Sequence, residues 1–266
     1  MEKVDADVFE RLNGRRAALR KITGFTGKVA LTAVPVALGS LFRKAYGQSV
    51  PTQIVDVLNF ALTLEYLEKE FYVRSLDAPN LIPNATARGA METIAADEIA
   101  HVYFLETTIA SLGVAHVSKP DFDFTAHGNF PGVFSNFETF LAVAQTFEDT
   151  GVRAYKGQAG NLISSNEILR AALRIHSVEA RHAAHIREMR NRIYSANVQP
   201  WITLNQSGIN SPAVQPSYNG EESVMQAGVN IVGINGFDIS AEDASEAFDE
   251  PLNQAQILSI VTPFLA

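Results

Sequence analysis

From Thr52 onward, apolar residues recur every three or four positions. Val55, Leu58, Ala61, Leu62, Leu67 and Phe71 line one stripe, the spacing of an amphipathic helix. Pro51 suits its first turn, and Asp77-Ala78-Pro79-Asn80 with Pro83 ends it. Asn84 is placed to cap a second helix carrying Met91, Ile94, Ala95, Val102, Leu105 and Ile109, and Gly113 follows Leu112 where a terminating glycine belongs. Residues 114–134 have no helical period and hold Pro120, Gly128, Pro131 and Gly132, which predicts a long connection. Ser135-x-x-Glu138 reads as a capping box opening a third helix with Phe137, Leu141, Ala144, Val152 and Tyr155 on one face; Gly160-Asn161 breaks it. Ser164-x-x-Glu167 reads as a second box, opening a fourth helix through Leu169, Leu173, Ile186 and Met189. Two helical hairpins joined by one long crossover predict an all-α four-helix bundle over residues 49–196.

Outside the bundle the pattern weakens. Residues 197–266 are rich in Pro, Asn, Gly, Ser and Gln and read as an irregular extension packed on the bundle, either a cover or a contact between copies. Residues 224–234 are apolar without a period, so strand and helix both stay open. Asn253 is placed to cap a short last helix, Gln254 to Val261, burying Leu258, Val261 and Phe264. Residues 1–48 hold Arg15-Arg16 and then a weakly apolar run, about Ile22 to Phe42. This resembles a twin-arginine export signal and implies a periplasmic location; a basic amphipathic helix in a cytoplasmic protein is the other reading.

Composition narrows the chemistry. The net charge is -8 with no block of like charges, which argues against nucleic acid as a partner. There is no cysteine, so disulfides, thiolate nucleophiles, zinc–thiolate sites and iron–sulfur clusters are excluded. Any metal must be held by His, Asp and Glu, a donor set that suits iron or manganese.

Such a set is present twice. Glu65 precedes Glu98-x-x-His101 by 33 positions, and Glu148 precedes Glu179-x-x-His182 by 31. Residues three apart share a helix face, so the Glu and His of each motif can reach one buried ion. Roughly 0.4 Glu-x-x-His matches are expected by chance at this composition; two occur, each behind a helix with a lone Glu at matched distance. Glu65 and Glu148 sit among Ala61, Leu62, Ala144 and Phe147, not in a charged stripe. Four buried carboxylates without cations would repel one another and lose their hydration, so the pattern predicts two divalent cations on Glu65, Glu98, His101, Glu148, Glu179 and His182.

On these six positions the chain resembles the ferritin-like superfamily of di-iron and di-manganese carboxylate proteins, in which two helices each contribute one Glu and two others a Glu-x-x-His. Leu64-Glu65-Tyr66-Leu67-Glu68, Phe71-Tyr72 and the tail Ala247-Phe248-Asp249-Glu250-Pro251-Leu252 are similar to the ferritin-like proteins related to plant desiccation-associated proteins. That resemblance implies a ferritin-like bundle holding two iron or two manganese ions, in a family without one established reaction.

Further candidates surround the motifs. Glu68, one turn past Glu65, reads as an extra ligand or as support behind one. Tyr72 and Tyr155, each seven residues past a lone Glu, bond ligand carboxylates or carry redox equivalents, or else pack in the core with a satisfied hydroxyl. His176 and His185 drift off the ligand face and read as supporting or surface groups, like His116 and His127 in the crossover. No catalytic residue is expected beyond the metal ligands. The functions open at this level are a redox-active protein meeting oxygen or peroxide (ferroxidase, peroxide detoxification or small-molecule oxidation) and a non-catalytic metal-binding or structural stress protein.

Overall fold

The computed structural model describes residues 51–266, so the export-signal reading of residues 1–48 lies outside the described residues. Four long helices carry the bundle: α1 (Thr52–Asp77), α2 (Ala85–Ser111), α3 (Phe137–Ala159) and α4 (Asn166–Tyr194). α1 packs along α2 and α3 along α4, while the connection from α2 to α3 contains no helix. None of the described helices is long and apolar enough to cross a membrane.

Three of the four bundle helices begin where a side chain accepts from a free N–H group of the first turn. Asn84 accepts from Ala87 N at 2.9 Å, as expected. The caps of α3 and α4 stand one residue later than the predicted boxes: Asn136 accepts from Thr139 N at 2.9 Å, and Ser165 accepts from Ile168 N at 3.4 Å. At α3 the reason is the preceding turn, in which Ser135 N–H and Oγ both donate to Gly132 O. Pro51 likewise stands just before α1, where its carbonyl accepts from Ile54 N. The helical stripes are buried except Val55 and Leu169, which are half-buried, and Leu173, which is exposed.

Aromatic side chains account for the long crossover. Phe122, Phe124, Phe130 and Val133 are buried against the bundle. Phe71 of α1 stacks on Phe140 of α3 at 4.6 Å and meets Phe124 at 5.3 Å. Each such ring contributes roughly 1.5–3 kcal/mol of burial, which offsets the ordering of a segment without helical hydrogen bonds. The chain end returns to pair with it: Asp123 N donates to Phe264 O and Ala266 N to Asp121 O.

The extension lies mainly on α3. A two-residue hairpin, β1 (Met225–Gln226) with β2 (Val229–Asn230), occupies the stretch whose pattern left strand and helix open. Its turn, Ala227-Gly228, has positive φ at both residues, which suits a tight hairpin. Two short helices follow, α5 (Ala241–Ser245) and α6 (Gln254–Val261), the latter opened by the Asn253–Gln256 capping box. α6 buries Ile257, Ile260 and Val261 against Phe60, Leu64 and Ala154. Leu258, expected inside, is exposed, because the helix seats the face one residue earlier.

Candidate metal centre

All six predicted residues meet at mid-height of the bundle. Glu65, Glu98, Glu148 and Glu179 are fully buried, and His101 and His182 nearly so. Their donor atoms form two overlapping groups in which every atom lies within 4.8 Å of the others: Glu65, Glu98, His101 and Glu179 in one, Glu98, Glu148, Glu179 and His182 in the other. Glu98 and Glu179 belong to both, so the set divides into two halves sharing two carboxylates.

The donors converge without satisfying one another. Glu98 Oε1, Glu148 Oε2, both Glu179 oxygens and His182 Nδ1 are buried and make no hydrogen bond. His182 Nδ1 lies 2.9 Å from Glu98 Oε1 and 3.3 Å from Glu148 Oε2, close but not aligned as hydrogen bonds. His101 Nδ1 is better placed, 3.0 Å from Glu98 Oε2 and 3.2 Å from Glu65 Oε2. Orphaned buried acceptors each cost about 1–3 kcal/mol. Oxygen and nitrogen lone pairs aimed at shared space are what a pair of hard cations requires, so the residues present fit a two-metal group.

The electrostatics agree. Burial, reinforced by the neighbouring glutamates, drives the Glu68 and Glu179 carboxyls well above the usual carboxylate range. Burial pushes Glu98 up to about 7 even though both histidines pull it down. Glu65 is the exception: burial raises it, but His101 and the Tyr155 hydroxyl hold it below its ordinary value. Burial would favour neutral imidazoles, yet Glu65 holds the proton on His101 and Glu148 holds it on His182, raising both. Protons thus do the work that cations would do, and cation binding would displace them.

Around the six stand further polar groups. Tyr72 of α1 donates to Glu148 of α3, and Tyr155 of α3 donates to Glu65 of α1, so each tyrosine steadies the lone Glu of the opposite hairpin. Both of the readings open for the tyrosines hold in part: the rings pack in the core, and the hydroxyls are satisfied by site carboxylates. Burial and those carboxylates keep both phenols protonated. Glu68 is buried beside the cluster but outside both donor groups, against Gly151, where an added Cβ would lie 3.3 Å from Glu68 Oε1. His176 Nδ1 donates to the α3 backbone at Val152 O rather than joining the site; His185 lines a surface groove, and His116 and His127 lie in the crossover.

Asp97 was not anticipated. His182 Nε2 lies 3.2 Å from its Oδ2. Its position four residues before His101 was the available signal, since that spacing puts it one turn from a ligand on the same helix.

A family model for the ferritin-like domain matches residues 53–192, more than half of the chain and nearly the span from α1 to α4. No match to the chain was found among curated proteins.

Proposed function

The chain belongs to the ferritin-like domain family, and on that premise we propose that it holds two iron or two manganese ions and is redox-active toward oxygen or peroxide. The observation that carries this reading is the convergence of orphaned, buried Glu and His donors into two groups sharing Glu98 and Glu179. Glu65 and His101 would complete one half and Glu148 and His182 the other. When bound, such ions supply reversible one-electron chemistry and Lewis acidity.

The chain's own residues prepare the place for that chemistry. Glu98 and Glu179, which belong to both donor groups, would contribute to holding both ions. Tyr72 and Tyr155 hold the terminal carboxylates by hydrogen bonds from buried hydroxyls. The apolar residues Ala61, Leu62, Ala144 and Phe147 are buried in the surrounding core, which weakens the screening of charges at the site. Tyr72 and Tyr155 also place oxidisable side chains beside the carboxylates, which supports the redox reading.

Metal content tests the reading. Protein purified from its host, or reconstituted with Fe2+ or Mn2+, should carry close to two ions per chain. Replacing Glu98 and Glu179 together by Ala should abolish binding; unchanged metal content in that variant would reject the site. Loaded protein should consume peroxide or oxygen faster than the same metal free in buffer.

A further inference from the structure

Outside the carboxylate cluster, the start of the extension folds back along α4 and walls a polar pocket with the end of α5. Its volume is about 310 Å³, at the lower end of the range of roughly 300–1,000 Å³ usual for small-molecule sites. The rim is pinned from several directions. Val198 N donates to Asn191 Oδ1 at 2.9 Å, and Asn191 Nδ2 donates back to Val198 O. Leu204 N donates to Ser245 Oγ at 2.9 Å, and Thr203 Oγ1 donates to Glu246 Oε1 at 2.6 Å. Leu204 sits at φ 49° in the turn between Thr203 and Gln206, a conformation that a leucine keeps only where its surroundings fix it. Val198 packs into the space over Gly208, where an added Cβ would lie 2.1 Å from Val198 Cγ1.

The lining combines an aromatic wall with polar groups of every hydrogen-bonding type. Trp201, the single tryptophan of the chain, lines the pocket and is 47% exposed. Asn197, Gln199, Gln206 and Glu242 line it too, and their side chains make no hydrogen bond among the described residues. Arg187, 1% exposed, reaches it from α4. That guanidinium donates to both oxygens of Asp149 and, through Nη1, to Trp201 O at 3.3 Å.

We infer that this pocket binds a small neutral saccharide. Arg187 can only donate, Glu242 and Glu246 can only accept, and the three amides do both. A hydroxyl also does both, so neighbouring hydroxyls on one ring can meet all of these groups. The indole of Trp201 offers an apolar face for the C–H side of the ring and an N–H at its edge. Other ligand classes match less of the lining. An anion would meet two glutamates, while the charge of Arg187 is already matched by Asp149. An organic cation would meet Arg187 and find one aromatic wall where a cage has several. An apolar molecule would cover amides and carboxylates without pairing them.

The lone indole makes the test specific, because Trp201 supplies all the tryptophan fluorescence. The protein is titrated with glucose, mannose, maltose and sucrose, and in parallel with inorganic phosphate and putrescine. Saturation-transfer nuclear magnetic resonance follows the sugar protons. At least one saccharide should shift the Trp201 emission saturably, with a Kd of about 1 mM or tighter, and receive transfer at its ring C–H protons. By resonance, Trp201→Ala should weaken binding about tenfold, while Trp201→Phe, which keeps an apolar ring, should fall between. Gln206→Ala and Glu242→Ala, both at exposed positions, should each weaken it about threefold to tenfold. Circular dichroism checks that every variant keeps the wild-type helical content. No saturable shift with any of the four sugars up to about 50 mM would overturn the inference. So would tighter binding of phosphate or putrescine, or sugar binding that all these variants leave unchanged.

Discussion

Arg153 gives the sharpest test of how the extension is held. It is one of the largest fully buried side chains, 1% exposed, in the middle of α3. Its guanidinium donates to three backbone carbonyls of the extension: Glu250 O at 2.7 Å, Ser217 O at 2.6 Å and Asn219 O at 2.9 Å. It also pairs with Glu221 at 2.6 Å, itself 1% exposed. Replacing Arg153 by Met keeps most of the volume but strands three carbonyls and a carboxylate. Breaking a buried ion pair from one side costs roughly 3–5 kcal/mol, so about 4 kcal/mol of unfolding free energy should be lost. The loss should depend on pH. Burial pushes Glu221 up to about 7, against the pull of Arg153. Its contribution is present below the unfolded value and fades as pH rises through about 7. Without Arg153 the folded value rises further, so the variant keeps losing stability where wild type has levelled off, by up to about 1.4 kcal/mol per pH unit. Urea unfolding of metal-free protein, followed by far-ultraviolet circular dichroism at about pH 6 and about pH 8.5, measures both terms. The gap between wild type and Arg153→Met should be wider at the higher pH, and adding Glu221→Leu should recover part of it. A loss under about 1 kcal/mol at both pH values, or a gap independent of pH, would refute the clamp.

Two further outcomes follow from close packing and from the tyrosines. Gly157→Ala should destabilise the protein although Ala is the better helix former by about 1 kcal/mol, because the new Cβ would lie 2.0 Å from Leu252 O; a raised melting temperature would contradict this. Tyr155→Phe, which takes away the donor to Glu65, should weaken Mn2+ binding about tenfold in calorimetry while leaving helical content unchanged, and unaltered affinity would show that Glu65 needs no such support.

The helices and the six site residues could be read from the sequence because each depends on local spacing. A stripe at 3.6-residue period and a Glu-x-x-His pair are both consequences of helix geometry alone. The caps were missed by one residue because Ser135 and Asn136, and Ser164 and Ser165, are neighbouring residues of equal capping chemistry; at α3 the turn at Gly132 decides between them. The packing of the crossover was hidden for a different reason. Phe122, Phe124 and Phe130 are spaced to no regular element, and their partners are distant in sequence: Phe124 meets Phe71 and Phe147, and Phe130 stacks on Phe264. Arg153, Arg187 and Arg190 carry no spacing signal that marks them as buried. Only the fold brings them their partners from the extension.

Those arginines bear on the site as well as on the extension. On α3, Gln145, Asp149 and Arg153 recur every four residues and form a buried polar stripe beside the one that carries Glu148 and Tyr155. Asp149 is gripped by Arg187 of α4 at 2.5 Å and by the Tyr218 hydroxyl at 2.8 Å. Gln145 donates to Tyr218 and to Ser207 O, and Arg190 donates to Gln145 and Gly208 O. The corresponding positions on α1 are Leu62, Tyr66 and Glu70, and Glu70 there pairs instead with exposed Lys119 and Arg74. α3 is therefore packed on two faces, with 17 of its 23 residues buried. Donors held from both sides lose less conformational freedom when a cation arrives, which is what preorganised ligation requires. The extension thus acts on the second hairpin, and through α3 it backs both Glu148 and Tyr155, the residue that holds Glu65.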